Sequence, residues 1–449
     1  FGRHLDKSIH DLSSAAAALA LQDSGADPST IEAVYFASAT NGALQGQHSI
    51  PGPIAARRAG LSGVPVFSVE NACASGSSAF NLAVTAIRAG EADVALALGA
   101  EKMNIADKAR MFAVFDSGWD VETVEANKAT LLALGAGVEP PPGTTSDKPY
   151  SVFMDVYAAI CRQHMHRYGT TQRQIAAVAA KNHAHSVHNP LSQYRKAFSV
   201  DEVLAAAPIC YPLTLPMCAP ISDGAAAAIV CTEHGRRRLG IPRSRCVRVL
   251  ASVIRSFGHR SMEEPQRHVS ALAARQAYEI AGLGPSDMRV AEVHDASAMG
   301  EIIQVENLGF VARGDAGPAA ERGEFSVGGR LPVNTSGGLE SKGHPLGATG
   351  IGQLHELVTQ LRGEAGARQV PGSRHAIQEN GGGLQGVERG QGHLQSLRIQ
   401  RPESLVHEQG LDAYLLGCQR GQSQCQGERD QERLTPGERG GRANLVSHV

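Results

Sequence analysis

The sequence predicts a glycine-rich α/β enzyme in which a mixed or parallel sheet is covered by helices and the strand–helix unit is laid down twice. Three observations lead there. Short apolar, β-branched runs alternate with Ala-rich helical stretches from the start of the chain. The same rhythm resumes after an irregular middle. Gly occurs 50 times while aromatic residues make up only 4%, so backbone approaching backbone or ligand matters more than ring stacking.

The elements follow in order. Residues 9–22 read as a helix, 32–38 and 64–69 as strands, 77–88 as a helix and 93–98 as a strand. Because Phe1-Gly2-Arg3 leads straight towards the first helix, a strand ahead of it is expected to be missing, and any targeting signal with it. Between Trp119 and about Pro208 the pattern changes: the run Glu-Pro-Pro-Pro-Gly-Thr at 139–144 is an irregular loop, and helices are predicted over 152–168 and 171–185. Alternation returns with strands at 225–231 and 247–254, a helix at 269–281, a strand at 290–293 and a helix at 299–307. After Gly386 the composition turns to Gln, Gly, Arg and Glu with little periodicity, which does not readily offset the entropy of ordering. The division is therefore an N-terminal half over 1–118 that continues at 209–235, an inserted loop subdomain over 119–208, a C-terminal half over 236–390, and a disordered or foreign tail over 391–449.

Composition excludes several classes. Lys plus Arg number 42 against 44 Asp plus Glu, a net charge of −2, so nothing draws the chain to nucleic acid or an anionic membrane. The longest apolar runs, 15–21 and 225–231, fall far short of the roughly 20 residues of a membrane span. Eight Cys lie scattered without paired spacing, and Cys210 with Cys218 does not have a metal-ligand spacing; a reducing, cytoplasmic setting and no metal are expected.

Two segments carry chemistry. In 69–78, Val-Glu-Asn-Ala-Cys-Ala-Ser-Gly-Ser-Ser, a strand runs through small residues into a helix, which puts Cys73 where helix N-terminal amides lower a thiol pKa and stabilise an oxyanion. The competing reading is a buried Cys packing as a small hydrophobe. In 334–350, Asn-Thr-Ser-Gly-Gly-Leu is followed after three residues by Gly-His-Pro-Leu-Gly-Ala-Thr-Gly and a helix, so glycines flank His344 and let a tight turn present its imidazole to a ligand. The competing reading there is a solvated loop His.

These two segments resemble the signature loops of the thiolase superfamily. His294-Asp295-Ala296-Ser297, the run Leu213 to Gly224, and the segments 163–170 and 181–193 narrow the resemblance to its sterol-carrier-type, or lipid-transfer-protein, branch, over residues 1 to about 387. It implies a duplicated fold of five layers, αβαβα, with an inserted loop subdomain on the CoA side. It also implies Cys73 as the nucleophile that takes an acyl group from an acyl-CoA, His344 as the base that activates it, and His294 in place of an Asn of ordinary thiolases. The backbone N–H groups of Cys73 and Gly382 would form the oxyanion hole, and Asn380, Ser336 and Gly337 would meet the substrate. No cofactor is implied beyond CoA thioesters as substrates, and the partners implied are a homodimer or dimer of dimers. The chain departs from the pattern in one respect: ordinary thiolases carry a second Cys about where Asn380 stands, and the sterol-carrier type has one directly after His-Asp, where this chain has Ala296. His294, or a thiol from elsewhere, would then have to supply the proton shuttle. The family also normally closes with one more core strand, expected here to be absent.

Three readings follow. The first is an acyltransferase that cleaves a 3-oxoacyl-CoA with CoA, or runs the reverse Claisen condensation, in lipid, fatty-acid or sterol side-chain metabolism. The second is a catalytically impaired acyl-CoA or lipid-binding member of the branch. The third is a retro-aldol lyase on a CoA-linked steroid side chain, working with a small OB-fold partner; the presence of Cys73 speaks against it, because an aldol cleavage needs no acyl-enzyme.

Overall fold

The computed structural model describes residues 1–256, 258, 264–385, 388–399 and 413–420. Nine strands join in one mixed sheet: β1 (Ala33–Ala37), β2 (Val66–Val69), β3 (Val94–Glu101), β6 (Gly224–Cys231), β7 (Val247–Ser256), β8 (Val290–Glu292), β9 (His375–Gln385), β10 (Glu388–Ile399) and β11 (Tyr414–Arg420). A small ribbon, β4 (Pro208–Cys210) with β5 (Leu213–Thr214), lies apart. The order is β2-β1-β3-β6-β11-β7-β10-β9-β8.

The directions expose the duplication. On one side β2, β1 and β3 run parallel, with β6 antiparallel to β3 and β11 antiparallel to β6. On the other, Val333 bridges β8 in parallel, β8 is parallel to β9, and β10 and then β7 follow antiparallel. Each half is thus the same five-position sheet.

Helices fill both outer faces and the space between the halves. Along β3 the even positions Val94, Leu96 and Leu98 pack with α1 (Ile9–Ser24) and α2 (Pro51–Arg58), whereas Ala95 and Ala97 face α3 (Ser75–Ala89) and α8 (Leu346–Arg362), the period of two that a doubly covered strand requires. The central helices also pack on Val290, Ala376 and Leu397 of the second half. The far face of that half holds α6 (Val269–Ala281) and α7 (Ala298–Asn307), together with α4 (Val152–Tyr168) and α5 (Gln172–Ser186) of the inserted segment, in one core cluster. Helices, half-sheet, helices, half-sheet, helices make the five layers. The helix ends are written in the sequence: Ser8 and Asp11 form a capping box for α1, Ser151 and Gly169 bracket α4, and Thr171 with Gln174 caps α5.

The tail expectation is corrected. A final core strand exists: β10 lies between β9 and β7, so the second half extends to residue 399 rather than 390. In the first half, β11 pairs antiparallel with β6. Periodicity failed to reveal β10 for a physical reason. A β-bulge between Ser396 and Leu397 breaks its alternation, and Gln395 and Ser396 are buried with side-chain polar atoms that lack partners among the described residues, each such group costing about 1–3 kcal/mol. The expectations for 400–412 and 421–449 lie outside the described residues.

Candidate active site

The site forms where the N-termini of α3 and α8 meet between the halves. Contact there is backbone to backbone: a Cβ on Gly350 would lie 2.0 Å from the Ser77 Oγ and 2.7 Å from the Ser77 nitrogen, so only Gly admits this crossing.

Cys73 sits in a single 3₁₀ turn, Ala72–Ala74, between the end of β2 and the first residue of α3. Ala72 takes φ +47°, a left-handed conformation that costs a non-glycine residue energy. The surroundings over-determine it. The Ala72 N–H donates to Glu70 Oε1 at 2.6 Å, the Asn71 N–H to Ser75 Oγ at 2.9 Å, the Asn71 amide to Ser78 Oγ at 2.8 Å, and the Ala74 N–H to the Asn71 carbonyl at 2.9 Å. The thiol is left partly exposed at the helix N-terminus, facing a cavity of about 1000 Å³.

His344 precedes Pro345, the N-cap of α8, and its backbone N–H donates to Ser222 Oγ at 2.9 Å. The tautomer follows from its neighbours. The Thr349 hydroxyl donates to the Pro345 carbonyl at 3.0 Å, so at 2.7 Å from His344 Nδ1 it can only accept. Nδ1 therefore carries the proton and Nε2 the lone pair, and Nε2 has no hydrogen-bond partner among the described residues. Burial, reinforced by the Lys342 ammonium, lowers the His344 pKa to about 3, so the ring rests neutral with the Nε2 lone pair unprotonated.

His294 follows β8, and its polarity is the opposite. The Ser77 hydroxyl donates to Asn380 Oδ1 at 3.0 Å, which orients that amide so that its NH₂ donates to His294 Nδ1 at 3.0 Å. The His294 proton is then on Nε2. The two rings stand edge to face with centroids 5.1 Å apart. Cys73 Sγ and one nitrogen of each ring lie within 4.8 Å of one another, a spacing that can pass a proton from thiol to imidazole and that could equally hold a soft divalent cation. A lone-pair imidazole and an N–H imidazole beside one thiol can deprotonate the sulfur and donate to a substrate oxygen.

The structure assigns other surroundings to three residues expected to touch substrate. Asn380 is fully buried as the link between Ser77 and His294. Ser336 directs both its N–H and its hydroxyl to Glu292, at 3.0 and 2.6 Å, and Gly337 packs on Ser186. None of the three lines the cavity, whereas Gly381, Gly382, Gly383 and Ala296 do. Gly382 presses on the nucleophile turn, and a Cβ there would lie 2.2 Å from the Asn71 carbonyl oxygen. The sequence reading missed Ser222 and Thr349, which set His344, although both lie inside segments it singled out. It also missed Glu340, buried in the cavity wall.

Residues 1–203 match the thiolase N-terminal domain family, and residues 251–388 the thiolase C-terminal domain-like family. Among curated proteins, the acetyl-CoA acetyltransferase of Methanothermobacter thermautotrophicus is 37% identical over 391 residues, covering 86% of this chain and 94% of that protein. Sterol carrier protein 2 of Oryctolagus cuniculus is 40% identical over 328 residues, 72% of this chain but 57% of the relative. In fold, the chain resembles the Ltp2-ChsH2(DUF35) aldolase (TM-score 0.68, 23% identity, 89% of this chain and 95% of that one) and human mitochondrial 3-ketoacyl-CoA thiolase (TM-score 0.62, 17% identity, the same coverage). With the duplicated half-sheets, the family matches at both ends and a full-length relative of this identity, the chain belongs to the thiolase family and is an acyltransferase.

Proposed function

We propose that this protein moves acyl groups between CoA and carbon through an acyl-Cys73 intermediate, as thiolysis of a 3-oxoacyl-CoA or the reverse Claisen condensation. The observation that carries this reading is the opposed polarity of the two histidines around one thiol. His344 Nε2 takes the Cys73 proton, and the thiolate attacks the substrate carbonyl carbon. Backbone N–H groups at Cys73 and Gly382 receive the oxyanion, and the His294 Nε2–H polarises the thioester oxygen of the second substrate. Met111, Phe115, Phe153 and Ile160 wall the cavity while Lys108, Arg195 and Lys196 also line it, a combination suited to an apolar acyl chain and CoA phosphates, and so to lipid substrates. On this reading the protein needs no resident cofactor and works in the cytoplasm. It pairs as a homodimer through the N-terminal half, where β2 is a sheet edge with Phe67 half exposed.

Incubation with a short acyl-CoA followed by intact-mass spectrometry tests it. One acyl adduct is expected, absent in Cys73→Ala and strongly reduced in His344→Ala. An adduct that persists in Cys73→Ala refutes the assignment, and a monomer by light scattering refutes the pairing.

A further inference from the structure

The acyl-transfer half of this reaction has its groups, but the carbon half lacks one. The polarity of His294 makes it a hydrogen-bond donor, which leaves no base at Ala296 or Asn380 to move a proton at the substrate α-carbon. Another ionisable group, Glu340, lines the same cavity.

Glu340 lies between Gly338 and Lys342, fully buried, in the wall of the same cavity as Cys73, His294 and His344. Its Oε1 accepts from the Asn182 amide at 3.1 Å, while Oε2 has no hydrogen-bond partner among the described residues. The wall around it is continuous with the position after His-Asp: the Ala219 N–H donates to the Ala296 carbonyl at 3.0 Å, and Cys218 bridges Ser297.

Charge counting places a proton here. Three buried carboxyls, Asp295, Glu301 and Glu340, meet at the Asn182 amide, which is 3.1 Å from an oxygen of each but has two hydrogens to give. The cation beside them, Lys181, pairs with Glu301 at 2.8 Å, and Lys342 is committed to Glu292 at 3.0 Å. Asp295 and Glu340 therefore cannot both ionise in this dry site. Asp295 receives the Leu339 N–H at 2.8 Å as well as the amide, so it holds the charge better, and the retained proton falls on Glu340 Oε2. Burial and then the Asp295 and Glu301 carboxylates raise the Glu340 pKa well above the ordinary carboxylate value, which agrees with a proton retained on Oε2. Cys218, in the same wall, is pushed well above the ordinary thiol value, by burial first, and so stays protonated.

We propose that Glu340 is a catalytic residue, the carboxyl that carries the proton to and from the α-carbon of the CoA thioester in place of the absent second thiol. The inference rests on the acyl-Cys73 reading. In thiolysis the Cys73 proton passes to His344, the thiolate bonds to C3, and as the C2–C3 bond breaks its electron pair takes the proton of Glu340 Oε2–H, releasing acetyl-CoA and leaving the shortened acyl group on Cys73. The incoming CoA thiol gives its proton to the Glu340 carboxylate and attacks the acyl group, and the departing Cys73 sulfur recovers its proton from His344. Condensation runs the same steps backwards.

Exchange of acetyl-CoA α-hydrogen for deuterium, followed by mass spectrometry beside the acylation of Cys73, separates the two readings. In Glu340→Gln, acylation is expected to stay within threefold while exchange and thiolysis fall by about 10²–10⁴-fold, the range of general acid–base work. In Cys218→Ala both should survive within threefold. Exchange that persists in Glu340→Gln, or is lost in Cys218→Ala instead, overturns the proposal. So does a folded Glu340→Gln that loses acylation and exchange together, which would make Glu340 structural. If Glu340→Gln does not fold, Glu340→Asp decides, with a tenfold or greater loss of exchange at unchanged acylation as the supporting result and unchanged exchange as the refuting one. An unaltered protein that never acylates Cys73 refutes instead the reading beneath.

Discussion

Adding one methyl group at Gly382 tests whether the second half of the fold builds the nucleophile's surroundings. A Cβ there would lie 2.2 Å from the Asn71 carbonyl oxygen, 2.6 Å from the Ala74 nitrogen and 2.9 Å from the Ala74 Cβ. The first two atoms are the ends of the hydrogen bond that closes the Cys73 turn, so neither yields unless the turn opens. The alternative is for β9 to retreat by about an ångström, and a displacement of that size near reacting atoms costs about 10²-fold in rate. Losing an oxyanion donor costs about 10²–10³-fold, whereas overpacking of this kind costs about 1–3 kcal/mol of stability, far from enough to unfold a two-half fold of this size. Gly382→Ala should therefore fold, melt a few degrees lower and acylate Cys73 at least about 10²-fold more slowly. The rate is read by rapid-quench intact-mass spectrometry, with iodoacetamide alkylation of Cys73 as a check that the thiol remains accessible. Acylation within threefold of the unaltered protein would show that the strand contributes nothing to the oxyanion site.

Acid stability follows from two buried histidines. His344 and His185 have folded pKa values of about 3 against roughly 6.5 in the unfolded chain, so between these values the unfolded state binds more protons and stability falls as pH falls. The urea midpoint should be level above about pH 6.5 and decline steadily towards pH 3, and His344→Gln should flatten part of that slope; an unchanged slope would contradict the buried neutral ring. The two positions where a second thiol could be restored are not equivalent: Ala296→Cys places a thiol in the cavity wall and should raise thiolysis, whereas Asn380→Cys removes the amide that orients His294 and should lower it. Turnover rising in both would refute the assigned tautomer. Removing residues 421–449 takes away none of the described strands and should leave the melting temperature unchanged, whereas ending the chain at 390 removes β11 and nearly all of β10 and should cause aggregation or a loss of cooperative melting.

What the sequence disclosed was what neighbouring residues determine. The helix at 152–168 is bracketed by Ser151 and Gly169, and β3 and β6 are runs of eight buried residues, apolar or glycine except for Glu101 at the end of β3, signals that need no knowledge of the remainder of the chain. The strand β9 stayed hidden because Gly381, Gly382 and Gly383 have little strand propensity, and β10 because its buried positions carry Gln395 and Ser396. Cys73 and His344 were legible as local strand–turn–helix motifs. Their protonation was not: Ser222 lies 122 residues from His344, and Asn380 lies 86 from His294.

That separation explains how acyl transfer and carbon chemistry can part company in one chain. The Cys73 turn and the two histidines are held by Ser75, Ser78, Thr349, Ser222 and Asn380, whereas the acidic cluster meets at Asn182. The group that serves the α-carbon belongs to a different network, tied to α5 and α7 through Asn182, Lys181 and Glu301. The two networks use different hydrogen bonds and meet along the chain at His294-Asp295. The loss of a thiol at position 296 therefore need not convert an enzyme into a binder, provided that the second network offers a carboxyl that is protonated when carbon must receive a proton and ionised when carbon must lose one. The buried trio of Asp295, Glu301 and Glu340, with one lysine among them, meets that condition through charge repulsion and desolvation, without any residue at the position where the thiol would have stood.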